Sequence, residues 1–122
     1  MSENKIKAFL KDAYTVENSG RSHSWLSDEP IELEGKDLGP TPNELLLSSL
    51  ASCKLITMIM YANRKGWDLQ DATITLQMGE KLEKTIIEKS IEFIGDLDQV
   101  QIDRLKLISG KCPIAKMLSN SF

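Results

Sequence analysis

The spacing of apolar residues along the chain alternates between two periods, and each change predicts a change of element. Between residues 4 and 28 the alternation is weak. Ile6, Phe9 and Leu10, then Tyr14 and Val16, then Trp25 and Leu26 form three short runs. The cluster Asn18, Ser19 and Gly20 predicts a turn between the second and third runs. Three short strands are therefore expected, the first two a hairpin. Residues 29–42 contain Gly35, Gly39 and three prolines, which predicts an ordered loop.

A helical period follows. Thr41 can cap it, Pro42 suits its first turn, and Glu44 places an acid near the positive helix end. The pattern runs to Arg64 and Lys65, where Gly66 supplies the stop. About 24 helical residues span roughly 36 Å. The first two-thirds are apolar on nearly every face, so this helix needs cover on all sides. A chain of 122 residues is short of material to provide it, so association through the helix is expected. Residues 45–61 raise the question of a membrane span. They are interrupted by Ser48, Ser49, Ser52, Lys54 and Thr57 and fall short of the roughly 20 apolar residues a span needs. A helix buried in protein, with its serines as small packing residues, is the expectation, and no membrane partner.

Beyond Trp67, residues 72–78 alternate strictly as a strand, residues 80–84 form a charged turn, and residues 85–94 return antiparallel until Gly95 and Asp96. Asp98 can cap a second helix whose Val100, Ile102, Leu105 and Ile108 face one way, closed by Gly110. Lys111, Cys112 and Pro113 then open a short third helix carrying Ile114, Met117 and Leu118. With no repeat, linker or low-complexity tract, the expectation is one α+β domain over residues 1–122.

Composition narrows the function. Apolar residues at 41% and charged residues at 27% describe a folded soluble protein. Fifteen basic against 18 acidic residues leave a net charge of -3, without a block of either sign. No nucleic acid partner is expected. Lysines and arginines, among them Lys5, Lys7, Lys54, Arg64, Lys65, Arg104, Lys106, Lys111 and Lys116, read as solvated surface. The opening MSENKIKAF lacks the apolar core of a signal peptide, so a cytoplasmic location with reduced thiols is expected.

Two cysteines remain as the chemistry-bearing residues. Pro113 suits a first helical position, which leaves Cys112 at or beside the N-cap. There, free N–H groups, the helix dipole and neighbouring Lys111 favour a thiolate; the plain alternative is a small apolar cap residue. Cys53 lies mid-helix, where burial alone makes a thiol inert, so reactivity there requires an imported cation. His23 is the sole histidine, read as a surface or strand-edge residue. Two cysteines and one histidine without a CxxC pair make no zinc site, and no phosphate- or nucleotide-binding motif is present. No metal and no cofactor are expected.

The stretch from Gly39 through Pro40, Thr41, Pro42, Asn43, Glu44 and the following leucines to Cys53, continuing to Tyr61, Ala62, Asn63, Arg64, Lys65, Gly66 and Trp67, resembles the OsmC/Ohr family. It is closest to the OsmC-like branch carrying Asp-Glu-Pro, GPTPxELLL, a Cys and YAxRKGW. Asp28-Glu29-Pro30, Gly95-Asp96-Leu97 and Cys112-Pro113 fall where that branch has them, so the resemblance covers nearly the whole chain. It implies antiparallel sheets packed around a long buried central helix in an intertwined homodimer, with active sites at the subunit interface. It also implies a cysteine-based peroxide reductase of oxidative-stress defence, acting on organic or hydrogen peroxides with a dithiol reductant. Carried over, Cys53 is peroxidatic and Cys112 resolving, which reverses the ranking from helix-terminus physics.

The resemblance further implies an arginine from the N-terminal strands, paired with a glutamate just before the main helix. Arg21 is the only arginine early enough; a solvated turn residue is its alternative. In the Ohr-type pattern the glutamate follows Asn-Pro ten residues before the cysteine, whereas here Asn43 has that spacing and Glu44 is one step closer. Nine residues on a straight helix turn about 900° and advance roughly 13 Å, so Glu44 reaches Cys53 only from a partner subunit. Otherwise it complements the helix dipole. Leu50, Ile56, Thr57 and Met60 are expected to shape a pocket tolerant of alkyl groups, with His23 and Ser24 possible lining residues. The chain ends at Phe122, where relatives usually continue into a last strand. Two other readings stay open: a persulfide carrier on Cys112, as in TusA-type proteins with a Cys-Pro at a helix start, and a noncatalytic module binding a small hydrophobic ligand.

Overall fold

Three short antiparallel strands open the chain: β1 (Lys7–Asp12), β2 (Thr15–Gly20) and β3 (His23–Ser27), in the spatial order β1-β2-β3. The computed structural model describes residues 4–121, and the chain divides into two compact units, Met1–Leu46 and Leu47–Phe122. The turn expected at Asn18, Ser19 and Gly20 lies two residues later. Gly20 pairs with His23, so Arg21 and Ser22 make the connection, with Arg21 left-handed at φ 51°. Asn18 stays in the strand because its side-chain amide donates to the Trp25 carbonyl (3.4 Å) and to Ser27 Oγ (3.2 Å) on β3.

After β3 the chain forms the expected loop, tightened by one 3-10 turn at Ile31–Leu33. Its anchor is Asp28, 2% exposed. The Asp28 carboxylate accepts from Thr15 Oγ1 (2.6 Å) and from the backbone N–H groups of Glu29 (2.8 Å), Lys36 (3.4 Å) and Leu38 (3.4 Å). One acceptor thus gathers donors from the sheet and both arms of the loop. Gly35 is required where the loop doubles back, because a Cβ there would run into the Glu29 carbonyl.

Helix α1 (Pro42–Lys65) starts where expected. Thr41 Oγ1 accepts from the Glu44 N–H (3.1 Å), and Glu44 Oε1 accepts from the Thr41 N–H (2.9 Å), a reciprocal capping box. Gly66, at φ 70°, ends the helix. Only Leu50, Lys54, Met58 and Ala62 are buried, one residue per turn along a single stripe. Ile56 and Met60 are 52% and 59% exposed, and Ser48, Ser49 and Ser52 are exposed as well. The all-round burial expected of this helix is therefore not met within one chain. By length and composition alone this helix is apolar enough to cross a membrane.

Strands β4 (Asp68–Lys81) and β5 (Lys84–Asp96) extend further than their alternation predicts, pairing from Asp68 opposite Asp96 to Lys81 opposite Lys84. Leu82 and Glu83 turn the hairpin with φ of 54° and 63°, the backbone of a two-residue type I′ connection. Helix α2 (Gln99–Ser109) carries its own capping box, Asp98 with Gln101, and α3 (Pro113–Ser121) follows Cys112. Met58, Ala62, Leu69 and Leu105 form the core of this unit, with Leu55, Ile59, Trp67, Ile91 and Phe93 packed around them. Val100 does not join its expected face and is 78% exposed. It lies five residues from Leu105, about 500° of rotation, and so points roughly 140° away. The α+β class, the antiparallel sheets and the long helix agree with expectation.

Leu105 is fully buried, so Leu105→Ala should cost about 2–5 kcal/mol in urea unfolding, against roughly 0.5 kcal/mol or less for Val100→Ala. The Thr15 hydrogen bond, followed by the backbone N–H bonds, holds the Asp28 carboxyl below the usual carboxylate range against the opposing effect of burial. A carboxyl depressed in the folded state stabilises above its unfolded value, and that contribution is lost as pH falls through the folded value. Asp28→Asn should therefore lower the urea midpoint near neutral pH, and the gap to the parent should narrow in acid below about pH 4.

Candidate functional site

Both cysteines carry free thiols and lie in the second unit. Cys53 occupies the middle of α1 and is partly exposed, whereas Cys112, just before α3, is fully buried. The Cys112 carbonyl accepts from the Lys116 N–H (3.1 Å), the first bond of α3, so the residue sits at the helix N-cap as its Pro113 neighbour predicts.

Cys53 stands on a face of α1 adjacent to the buried stripe. On that face follow Thr57, Met60 and Arg64, four, seven and eleven residues along. An open cavity of about 460 Å³ is lined by Thr57, Met60, Asn63, Arg64 and Pro113. Its walls thus come from the turns of α1 following Cys53 and from the residue following Cys112. A second tie joins the same two segments. Lys54 Nζ donates to the Ser109 carbonyl at 3.0 Å, joining the residue after Cys53 to the last residue of α2. The flanks of the two cysteines therefore meet twice, through a cavity wall and through a buried hydrogen bond.

Lys54 corrects the reading of the lysines as solvated, since it is 6% exposed. Its position in the one buried stripe of α1 carries it inward, and the Ser109 carbonyl, an acceptor left over at a helix C-terminus, takes its ammonium. Lys89 on β5 arrives at the same residue, donating to Ser109 Oγ at 3.2 Å. Ser109 Oγ in turn donates to the Lys106 carbonyl at 2.6 Å. Among the described residues the ion pairs are Lys11 with Glu17 and Lys36 with Asp12, both in the first unit. The two ammonium groups at Ser109 thus lack a carboxylate partner. Burial, then the Lys54 charge, pushes the Lys89 ammonium below the ordinary lysine value, while Cys112 pulls it back up.

A further basic group surrounds Tyr61. Arg104 Nε donates to its phenol oxygen at 3.0 Å, and Arg64, Lys65 and Arg104 lie 6.0, 5.6 and 5.7 Å from its ring. The Arg104 hydrogen bond, more than the surrounding charges, holds the phenol below its ordinary value.

The remaining expected site residues are distributed unevenly. Thr57 and Met60 share the cavity beside Pro113, as a pocket role requires. Ile56 lines a separate cavity of about 240 Å³ with Leu55, Ile59, Leu69 and Ala72. Leu50 belongs to the buried stripe. Arg21 and His23 lie in the first unit, where they line a cavity of about 240 Å³ with Lys5, Ile6 and Trp25. His23 is exposed at the start of an edge strand, as expected. Glu44 caps α1 through Thr41, which satisfies the helix-end alternative for this residue. Sequence reasoning passed over Lys54, Lys89 and Arg64. A charge in the middle of an apolar helix was the available signal for Lys54, and the helical spacing from Cys53 was the signal for Arg64.

The OsmC family model, described as OsmC-like protein, matches residues 35–122. No curated protein matches the sequence. Among solved structures, an OsmC-like protein from Mycoplasma pneumoniae superposes with a TM-score of 0.83 at 19% identity, covering 98% of this chain and 89% of that one. A Psychrobacter arcticus protein assigned to the osmotic stress induced and detoxification response gives 0.80 at 21% identity, with 95% and 88% covered. An organic hydroperoxide resistance protein from Legionella pneumophila gives 0.70 at 19% identity, with 98% and 91% covered. These likenesses extend the match in fold to the N-terminal strands. With the family pattern matched over most of its length, the chain belongs to the OsmC-like protein family.

Proposed function

We propose that the chain is a thiol-dependent peroxide reductase of the cytoplasm, with Cys53 peroxidatic and Cys112 resolving. Family membership supports a redox role in peroxide stress, and the Legionella relative is an organic hydroperoxide resistance protein. The observation that carries the reading is the double tie between the flanks of two free thiols of unequal exposure. The partly exposed Cys53 shares a face of α1 with Thr57 and Met60, which line a cavity large enough for a small peroxide.

In this cycle the Cys53 thiolate attacks the peroxide O–O bond. The terminal hydroxyl oxygen transfers to sulfur, making Cys53 a sulfenic acid. The other oxygen takes up the proton lost from the Cys53 thiol and leaves as alcohol or water. Cys112 then attacks that sulfur, forming the disulfide and expelling water, and a dithiol restores both thiols. Arg21 is assigned to hold the Cys53 thiolate and polarise the peroxide. Glu44 Oε1 is engaged by the Thr41 N–H, which leaves Oε2 for the arginine of a second copy. The exposed α1 face bearing Ser49, Ser52, Ile56 and Met60 is the surface on which that copy packs, and its small and apolar residues suit close helix contact. Full burial of Cys112 weighs against a persulfide carrier, which must present its sulfur to a donor enzyme.

Cys53→Ser should abolish turnover of cumene hydroperoxide. Cys112→Ser should consume a single equivalent and accumulate a sulfenic acid that dimedone traps on Cys53. Full turnover by Cys53→Ser together with loss in Cys112→Ser would reverse the two roles. Ser52→Glu should convert a dimer to monomer in sedimentation velocity and lower peroxide turnover with it; a dimer that persists places the interface elsewhere.

A further inference from the structure

A buried cation without an anionic partner is costly, and among the described residues Lys54 has no carboxylate in an ion pair with it. Its ammonium donates to one neutral carbonyl, and the second ammonium brought to Ser109, that of Lys89, adds repulsion. Two like charges converge on a serine that is 0% exposed, three residues before a cysteine that is also 0% exposed. Lys106 lines the same outer cavity as Lys89 and Lys111 adjoins Cys112 in sequence, so further basic residues flank this point. The group there able to become an anion is the Cys112 sulfur, which acts electrostatically on Lys89.

We propose that Lys54 and Lys89 are positioning residues for the second half of the cycle: they receive the Cys112 sulfur as the leaving thiolate when the Cys53–Cys112 disulfide is reduced. This inference rests on the two-cysteine cycle proposed above. It adds the direction in which that disulfide opens and the residues that set the direction. The thiolate of a thiol reductant adds to Cys53 Sγ, the Sγ–Sγ bond breaks, and both electrons of that bond remain on Cys112. A mixed disulfide between reductant and Cys53 results. The second thiol of a dithiol reductant then attacks its own sulfur in that mixed disulfide, releasing the Cys53 thiolate and the oxidised, cyclic reductant. Two electrons pass from the dithiol to the protein, and its two protons balance the two thiolates.

Two independent observations select this direction. Exchange is faster when the departing sulfur is better stabilised as an anion, and both ammonium groups are held at Ser109, three residues before Cys112, whose sulfur acts on Lys89. Access also favours it, since an external thiol meets the partly exposed Cys53 while Cys112 is enclosed. Charge and accessibility assign the same sulfur to the reductant.

The test uses the full chain, oxidised with one equivalent of cumene hydroperoxide and then reduced by dithiothreitol, with both steps followed by stopped flow. Lys89→Gln and Lys54→Met should lower the ratio of reduction rate to oxidation rate by about fivefold, Lys89→Arg should restore it, and Lys84→Gln at the hairpin tip should leave it unchanged. Lys89 is exposed enough for its variant to fold even if the Lys54 variant does not. In a parallel reaction with limiting glutathione, peptide mass spectrometry should find the adduct on Cys53 in the parent, with a larger share on Cys112 in Lys89→Gln. An adduct on Cys112 in the parent, or an unchanged rate ratio in Lys89→Gln, overturns this inference and leaves the peroxide cycle standing. Failure of peroxide to produce the disulfide overturns both.

Discussion

The hydrogen bond from Lys54 to the Ser109 carbonyl ties together the two segments that carry the thiols. It joins the middle of α1 to the end of α2, where the chain turns through Gly110 and Lys111 to place Cys112 at the start of α3. A lysine is an expensive means of making that join. An apolar residue in the same stripe would pack against α2 without desolvating a charge, and the resulting unit would be at least as stable. The cost has a rationale if the charge is used, which is the role proposed for it in reduction of the disulfide.

The geometry of α1 explains how one helix supplies structure and site together. Residues at 50, 54, 58 and 62 repeat every four positions and form the stripe the unit buries. Cys53 is one position behind Lys54, about 100° around the helix, so its sulfur stands at the margin of that stripe. From this margin Thr57, Met60 and Arg64 descend along the same face to the cavity that Pro113 closes. A margin is where a thiol can be supported by packed protein on one side and reached by a small molecule on the other. The third face, with the exposed Ser52 and Ile56, carries apolar character that this unit leaves uncovered.

Much of this was legible in the sequence because it rests on local rules. Thr41 and Glu44, Asp98 and Gln101, and Gly66 are helix-end signals whose partners lie within a few residues, and the structure forms each of them. The strict alternation after residue 72 located the hairpin, although not its full length, since pairing can continue through polar residues once the register is set. Asn18 was misleading because its turn-forming amide found cross-strand acceptors instead. Lys54, Lys89 and Ser109 were illegible as a group: they come from three elements, and what joins them is packing. The relation of Arg21 and Glu44 to Cys53 belongs to the same kind of information, since the resemblance alone pairs residues from different parts of the chain.

The two thiols end with different claims on reactivity. Helix-start physics favoured Cys112, and the residue does stand at the start of α3, with Lys54 and Lys89 hydrogen-bonded to Ser109 three residues before it. Yet a sulfur that is fully enclosed cannot be the first to meet a substrate, however well its anion is supported. Support without access describes a sulfur that accepts electrons from a bond within the protein. Access at the margin of a packed stripe, with an apolar cavity below, describes one that exchanges with small molecules. The family resemblance and the helix-start argument, which ranked the cysteines in opposite orders, are reconciled in the proposed cycle, where Cys53 makes the bonds to outside partners and Cys112 is the sulfur released.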